Sequence, residues 1–282
     1  MGKRFDILLF PGGKNKAFTL SYDDGVVQDR RLVEHFDYHH AKCTFNLNYG
    51  VLDLKRNMRE VDISTIGKDE VRQLYRNHEV GGHGLYHSDI SSLKSPYALY
   101  EIVEDKARLE DLTGYPLKMF AYPFGFFSDE MKKLLQEAGY KGARTIASTH
   151  SFALPKDPLQ LDPTCHHNDE KLMELAKHFI EDRNIQPYLF YVWGHGYEFD
   201  KDSNWDRMEQ LLVYLRSYED QIWYATNGQI LDYMQAYRML EYSTDGSLIY
   251  NPSAIDVDIM TSFGQKEHLE AGRVTHIKET EL

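Results

Sequence analysis

The sequence predicts an α/β fold in which about seven strand–helix units form one large domain, followed by a small β-rich extension. The chain of 282 residues is long enough for one domain of this size with an appendage. Short apolar runs alternate with helical stripes up to residue 242, and turn-forming pairs become frequent after it. We therefore expect one domain at 1–242 and an extension at 243–282.

Seven segments have the apolar, β-branched or aromatic character of buried strands. They are Ala17–Tyr22, Lys42–Leu47, Glu79–Gly82, Lys118–Tyr122, Lys141–Ile146, Tyr188–Trp193 and Ile222–Ala225. Helical patterns fall between them. Such a repeat gives a parallel sheet, either open and doubly wound or closed into a barrel, and periodicity alone leaves both open.

Four helical segments carry clear start or stop residues. Ser95 is expected to cap a helix that has Pro96 in its first turn and ends at Gly114. Its apolar stripe comprises Leu99, Ile102, Val103, Leu109 and Leu112. The others are 129–138 between Ser128 and Gly139, a face of Trp205, Met208, Leu211, Leu212 and Leu215, and a helix capped by Asn227 that ends near Leu240.

The extension contains two β-rich pieces, Leu248–Tyr250 and Ala254–Met260. Turn-forming pairs flank them at Asp245-Gly246, Asn251-Pro252 and Phe263-Gly264. We expect these pieces to pack on the main domain as a small β structure.

Composition and charge narrow the class of protein. Hydrophobic residues make up 42% and charged residues 27%, and no apolar run reaches the roughly 18 residues that a membrane helix needs. The formal net charge is −12 and the basic residues form no stripe, which argues against a nucleic-acid partner. We expect no membrane partner, and the sequence indicates no oligomeric state.

The N-terminus and the cysteines predict a cytoplasmic protein. The apolar stretch from Ile7 to Phe10 is too short for the core of a secretory leader, and Cys43 and Cys165 build no disulfide framework. Secretion stays open if a leader has been removed ahead of Met1.

The segment Ser21–Gly25 closes the first predicted strand with two adjacent carboxylates, Asp23 and Asp24, and a glycine that allows a sharp turn. Because neighbouring residues leave a strand in different directions, one carboxylate can hold a metal while the other faces the reacting water. A turn with solvated acids is the structural alternative.

His83 and His87 lie in a glycine-rich segment that ends the third predicted strand. Histidines four residues apart meet on one side of a helical turn, and imidazole is a standard zinc ligand. In a chain with 13 histidines the pair is a surface coincidence about as often as a ligand set. Together with Asp24, however, the pair would give three protein ligands and one open position, the pattern of a catalytic metal.

Two further strand ends carry candidate residues. Val192–Gly196 places His195 between two glycines, where it can donate a proton to a leaving group or simply be satisfied in a loop. Phe120–Gly125 is by itself typical of a turn with a proline at its corner. Because active sites of barrels lie at the carboxyl ends of the strands, the convergence of four such clusters predicts a site there.

In order and spacing, these residues resemble the polysaccharide deacetylases, the family 4 carbohydrate esterases with a NodB homology domain. The family's Thr-Phe-Asp-Asp-Gly is matched by Ser21–Gly25, its His-Ser/Thr-x-x-His by His83–His87 and its Leu-x-Leu-x-His by Tyr191–His195. The resemblance covers roughly the first 240 residues. It implies an irregular (β/α)7 TIM-like barrel, in agreement with the seven predicted strands.

The resemblance also implies a role for each matched residue. Asp23 would be the general base, His195 the general acid, and Asp24, His83 and His87 the ligands of one divalent ion, zinc in the first place with cobalt or nickel as alternatives. The metal would acidify a water and polarise the acetyl carbonyl. The oxyanion would be held by the metal and a backbone N–H near Phe124, with Tyr122 and Trp193 beside the substrate.

The chain departs from the family at the third motif, where Ala121 replaces an arginine that orients the base. Arg144, at the end of the next predicted strand, is the best substitute, because neighbouring barrel strands aim their ends at one mouth. A surface arginine without a partner is an equal alternative. The fourth motif has only an echo in Leu161–His166. The runs Gly142–Thr145 and Trp223–Asn227 resemble a divergent bacterial subgroup of the family, in which a β-rich tail follows the barrel.

The sequence thus predicts a metal-dependent hydrolase that removes acetyl groups from N-acetylated sugars or oligosaccharides. An O-acetyl carbohydrate esterase and a non-catalytic carbohydrate-binding homologue are the alternatives. The presence of both Asp23 and His195 argues against the non-catalytic one. A phosphate-ester hydrolase would need more carboxylate ligands or a basic cluster.

Overall fold

The computed structural model describes residues 6–277. Its strands are β1 (Ile7–Leu9), β2 (Lys16–Asp23), β3 (Cys43–Leu47), β4 (Asn57–Met58), β5 (Val61–Asp62), β6 (Glu79–Gly82), β7 (Met119–Ala121), β8 (Gly142–Arg144), β9 (Cys165–His166), β10 (Tyr188–His195), β11 (Ile222–Tyr224), β12 (Glu241–Tyr242), β13 (Leu248–Tyr250), β14 (Val257–Met260), β15 (Lys266–Leu269) and β16 (Val274–His276). Its helices are α1 (Asp29–Tyr38), α2 (Val71–Leu74), α3 (Ser95–Thr113), α4 (Asp129–Glu137), α5 (Leu172–Glu181), α6 (Tyr197–Asp202), α7 (Trp205–Arg216) and α8 (Asn227–Arg238).

A curled parallel sheet forms the body of the fold. Its strands follow the order β8-β7-β6-β3-β2-β10-β9, and β11 also pairs with β2. The segment that leads into β9 approaches β8 again, because Leu161 forms a parallel bridge with Arg144. The path of seven strands is therefore a curled half-barrel, with β11 as an eighth strand beside β2, and the predicted α/β barrel fold is confirmed.

The seven predicted strands all occur, each within two residues of its predicted ends. Every residue of β2 is buried, as expected for a strand that lies between two other strands and is covered by helices on the outside. Continuous apolar character along such a strand gives a strong sequence signal, which explains why the sheet was predictable.

The observed ends of the helices agree less well with the ends predicted from the sequence. The Ser128 side chain accepts from the backbone N–H of Met131 and caps α4, as predicted, and Gly114 ends α3 in the left-handed conformation with φ 83°. Ser95 and Asn227, however, are first helical residues rather than caps. The residue before each of them is extended at the N-cap, and Thr226 caps α8 through a reciprocal hydrogen bond with Gln229.

The predicted apolar stripe of α3 is only partly buried. Ile102 and Leu109 lie in the core, whereas Leu99 and Val103 are exposed on the outside of the barrel. Their place toward the core is taken by polar residues: Glu101 and Asp105 are buried and bind backbone N–H groups of the loop that follows β6.

The C-terminal part forms two small antiparallel sheets, as its β-rich character predicted. In one, β14 pairs with β15 and with β1, so the start of the chain joins the extension. The other has the order β12-β13-β16. The domain boundary after residue 242 stays a prediction. Among the helices of residues 6–277, none is long and apolar enough to cross a membrane.

Candidate active site

The predicted site residues meet at the carboxyl edge of the parallel sheet. Asp23 is the last residue of β2, His195 is the last residue of β10, and the two are register partners. His83 follows β6 directly and Arg144 ends β8. The closing turns of four strands thus bring side chains that are far apart in sequence to one mouth of the barrel.

Asp24, His83 and His87 form a compact set of three metal-ligand atoms. The Asp24 Oδ1 atom lies 3.8 Å from His83 Nε2 and 3.5 Å from His87 Nε2. Donors bonded tetrahedrally to zinc at about 2.0–2.1 Å stand about 3.3 Å from one another. The set is therefore close to the spacing that a zinc-like ion requires.

The tautomer of His83 suits a ligand role. Its ring is buried, and Nδ1 donates to the backbone oxygen of Ala121 at 2.7 Å, which leaves the Nε2 lone pair directed at Asp24 and His87. Burial lowers the pKa of His83 to about 4, although the nearby carboxylates raise it, so the ring is neutral at pH 7. A neutral imidazole is the form that binds a metal.

The sequence predicts a helical turn from His83 to His87, and this prediction is wrong. Gly84 and His87 have positive φ values of 76° and 56°, which a helix excludes. Asn48 holds the loop by donating to the backbone oxygens of His83 and Gly84. The two histidines therefore meet because tertiary hydrogen bonds fold the loop back, and not because of the four-residue spacing itself.

Asp23 is 2% exposed and lies between the metal ligands and His195. Its Oδ1 accepts from Asn46 at 2.8 Å, its Oδ2 accepts from Arg144, and its Oδ2 is 4.0 Å from both His83 Nε2 and His195 Nε2. Burial alone would raise the pKa of Asp23, but Arg144, the two histidines and Asn46 outweigh it and lower the pKa. Asp23 is therefore a buried, ionised carboxylate.

Arg144 is 1% exposed, so the alternative of an unpartnered surface arginine is wrong. Besides Asp23 it donates to the backbone oxygen of Thr145 at 3.0 Å, and its guanidinium lies 4.4 Å from the Trp193 ring centroid. Arg144 is the register partner of Ala121 on the adjacent strand. The guanidinium expected at position 121 is thus replaced by that of Arg144 on the adjacent strand, which contacts Asp23.

His195 is paired with a carboxylate that the sequence analysis missed. Its Nδ1 atom lies 3.2 Å from Oε2 of Glu198, and the same oxygen accepts from its backbone N–H at 3.0 Å. Burial lowers the pKa of His195, but Glu198, Asp24 and Asp23 raise it more, to about 9. His195 is therefore protonated at pH 7. The spacing His195-x-x-Glu198, across the junction of a strand and a helix, was the available signal.

The three residues predicted to lie beside the substrate differ in their positions. Phe124 is 50% exposed at the mouth, and its ring centroid is 4.5 Å from that of His87. Tyr122 is buried and donates to the backbone oxygen of Leu159, so its side chain belongs to the core and does not face a substrate. Trp193 is 8% exposed and covers Arg144.

A cavity of about 350 Å³ opens next to the metal-ligand set. Its wall includes Asp24 and His87 together with Arg56, Tyr86 and Tyr197. Exposed aromatic side chains continue around the mouth at Tyr86, Phe124 and Phe126. The site is therefore open on one side, and flat apolar rings border it.

Comparison with known proteins gives a family match and a shared fold. A model of the polysaccharide deacetylase family matches residues 11–143, which include Asp23, Asp24, His83 and His87 and stop before Arg144 and His195. No curated protein sequence matches the chain.

Solved structures of polysaccharide deacetylases and of a related pseudoenzyme share the fold of this chain. A candidate polysaccharide deacetylase from Mycobacterium smegmatis has a TM-score of 0.62 at 15% identity, with 83% of this chain and 95% of that chain covered. A pseudoenzyme of carbohydrate esterase family 4 from Bacillus anthracis has a TM-score of 0.52 at 19% identity, with 79% of this chain covered. The alignment spans 66% of that pseudoenzyme, just under two thirds.

A mutant of the same pseudoenzyme with restored activity has a TM-score of 0.51 at 19% identity, with 79% of this chain and 69% of that chain covered. At these identities the structures show a common fold. The sequence match is to one family: residues 11–143 match the model of the polysaccharide deacetylases, and solved structures of such proteins share the fold of this chain.

Proposed function

We propose that this protein is a metal-dependent hydrolase that removes acetyl groups from N-acetylated sugars or oligosaccharides. One observation carries the proposal: a buried, ionised Asp23 lies 4.0 Å from a metal-ligand histidine on one side and 4.0 Å from His195 on the other. A base, an acid and a Lewis-acid position within one mouth are the groups that amide hydrolysis requires.

The donor set fits a divalent ion of the zinc type, because it offers one carboxylate oxygen and two imidazole nitrogens and leaves further positions open. Asp24, His83 and His87 would hold the ion, with zinc favoured and cobalt or nickel as alternatives. When bound, it would acidify water and polarise the acetyl carbonyl.

The protein's own residues account for the proton transfers. Asp23 takes a proton from the attacking water, and Arg144 and Asn46 hold its two oxygens in place for this. His195 is protonated, and its Nε2 faces Asp23 while its Nδ1 faces Glu198. It donates its Nε2 proton to the departing nitrogen, because an amine cannot leave as an anion.

The surroundings of the site favour a carbohydrate. Tyr86, Phe124 and Phe126 expose flat aromatic faces beside the ligand set, and such faces stack on sugar rings. An amide is favoured over an ester because His195 is held protonated for a leaving group that needs a proton.

The proposal is tested by measuring acetate release from N- and O-acetylated mono- and oligosaccharides with metal-free protein and after addition of zinc, cobalt or nickel. We expect metal-dependent release from N-acetylated substrates. Release from O-acetylated substrates alone would favour the esterase alternative. Sugar binding without release under any metal would favour the non-catalytic one.

We predict that His83→Ala and Asp24→Ala each lose one equivalent of bound metal, because two remaining donors hold a zinc-like ion poorly. Metal content after dialysis of the purified variants measures this. His268→Ala serves as the control, since His268 lies in the C-terminal extension and pairs with Asp258. Unchanged metal content in both site variants would contradict the assignment of these ligands.

We predict that His195→Ala lowers turnover of an N-acetylated sugar on the order of 100-fold, the scale of a lost general acid. Turnover of an activated aryl ester should fall much less, because an aryl oxide leaves without a proton. Parallel kinetics on the two substrates check this. Equal losses on both would remove His195 from the role of the acid.

A further inference from the structure

We propose that His166, His167 and Glu198 form a second divalent-cation site, next to the general acid and separate from the first ligand set. The Nε2 atoms of both histidines and the Oε2 atom of Glu198 lie within 4.8 Å of one another. None of the three residues takes part in the first set. The site would accept zinc or a similar ion that prefers imidazole and carboxylate donors.

The spacing of the donors matches that of a zinc-like ion. Glu198 Oε2 is 3.0 Å from His166 Nε2 and 3.5 Å from His167 Nε2. These values lie on either side of the separation of about 3.3 Å between donors of a tetrahedral zinc site. They are also as short as the distances in the first set, 3.5 and 3.8 Å. Because His166 Nδ1 accepts from the backbone N–H of Asn168, His166 Nε2 carries the ring proton, and a cation that binds there would release this proton to solvent.

His167 provides the second, independent observation. It is completely buried, and its Nε2 atom makes no hydrogen bond although it faces Glu198. A buried imidazole nitrogen without a hydrogen bond is costly unless something else satisfies it, and a bound cation would do so. The unsatisfied atom lies 3.5 Å from Glu198 Oε2, a donor of the candidate site.

The ring of His167 is held in this orientation from several sides. Its Nδ1 atom lies 3.2 Å from the Tyr22 hydroxyl, and the ring stacks on Phe199 with centroids 4.1 Å apart. A side chain on Gly194 is excluded, because a Cβ atom there would lie 1.9 Å from His167 Nδ1. In the tautomer in which Nδ1 donates to the Tyr22 hydroxyl, Nε2 has the lone pair that a metal ligand needs.

Because of its position beside His195, a cation bound at this second site would lower the activity that a metal in the first site supports. His195 Nδ1 lies 3.2 Å from the same Glu198 oxygen that would bind the cation. A cation at this oxygen would compete with the His195 ring for its carboxylate partner and so disturb the position of that ring. If the deacetylase activity proposed above holds, the first equivalent of metal activates the enzyme and an excess inhibits it.

The binding test uses metal-stripped full-length protein titrated with zinc or cobalt, with bound equivalents counted by equilibrium dialysis and cobalt followed by its visible absorption. We expect two equivalents in the parent protein. His166→Gln and Glu198→Gln should each bind one, and His83→Ala should retain one with the spectrum of the second site. His166 is partly exposed, so its replacement leaves the core unchanged.

His150→Gln is the matched control, because His150 is a partly exposed histidine that pairs with Asp169 outside the cluster. It should bind two equivalents like the parent. A single equivalent in the parent that disappears in His83→Ala would overturn the second site, as would two equivalents in His166→Gln. These outcomes concern binding alone, so they stay distinct from a failure of the proposed deacetylase activity.

The kinetic test asks whether excess metal inhibits. Acetate release by the parent should rise with the first equivalent of zinc and fall in excess zinc, whereas His166→Gln should show the rise and lose the fall. Equal inhibition of the parent and His166→Gln would contradict the proposal, because the inhibitory ion would then bind elsewhere.

Discussion

Asp23→Asn is expected to lower turnover of an N-acetylated sugar on the order of 100-fold or more while the bound metal is retained. The amide has the shape of the carboxylate, but it cannot take a proton from water. Asp24, His83 and His87 are unchanged in this variant, so their metal affinity should persist. Steady-state kinetics and metal content, measured on the same preparation, test both parts of the expectation.

Asp29→Asn is a matched control for this variant. Asp29 is also a fully buried aspartate, but burial raises its pKa well above the usual value, and its Oδ2 accepts from the Tyr75 hydroxyl. Because the oxygen of an amide can still accept from the Tyr75 hydroxyl, asparagine should replace Asp29 with little effect on turnover. Similar losses in the two variants would show that any buried aspartate matters for folding and would remove the case for Asp23 as the base.

The parts of the site that were predictable from sequence lie at the ends of strands. β10 is a continuous apolar segment and β2 alternates large apolar with small polar residues, so their ends, Asp23 and His195, could be assigned to one edge of the sheet. Parallel register then brings these two residues side by side. The residue pattern of a buried strand is a local feature, so a single sequence is enough to locate the end of the strand.

The loop that carries His87 could not be predicted in this way. Its positive φ value at a histidine is set by contacts from distant parts of the chain, among them Asn48 after β3 and Glu101 on α3. No local pattern specifies such a conformation for a residue with a side chain. The prediction brought His87 together with Asp24 and His83, but for an incorrect reason, a helical turn.

Glu198, His166 and Asn46 were missed because their significance depends on pairing across the barrel. Asn46 is the register partner of Asp23, and His166 is the register partner of Trp193, two residues before His195. Each looks like an ordinary polar residue in its own segment. Only the strand order, which sequence periodicity does not give, brings them to the same mouth.

Arg144 was predictable because an arginine that is missing from one strand can be replaced by an arginine on the neighbouring strand. Ala121 and Arg144 are register partners on β7 and β8, and partners on adjacent parallel strands point to the same face of the sheet. The hydrogen bond between Arg144 and Asp23 that this argument required is present. Its catalytic importance remains a prediction, which the following variants test.

Arg144→Lys is expected to lower turnover about 10- to 100-fold, because a lost hydrogen bond to a charged group costs about 1.5–3 kcal/mol. The lysine keeps the positive charge, but it cannot reproduce the planar guanidinium, which binds Asp23 and the Thr145 oxygen and stacks on Trp193. Metal content should stay unchanged. Arg108→Lys, on the exposed face of α3, is the matched control and should retain the parent's turnover.

Removing the charge altogether should have a larger effect on stability. Arg144→Met leaves Asp23 as a buried carboxylate without its cation, and breaking a buried ion pair of this kind costs about 3–5 kcal/mol of the free energy of unfolding. Adding Asp23→Asn to Arg144→Met removes the unpaired charge, so the double variant should recover part of the stability while its turnover stays low. Denaturant unfolding of the four proteins in this cycle measures the coupling. If the losses in stability simply add, the two side chains do not act as a buried pair, and Arg144 could not be the residue that keeps Asp23 ionised and oriented.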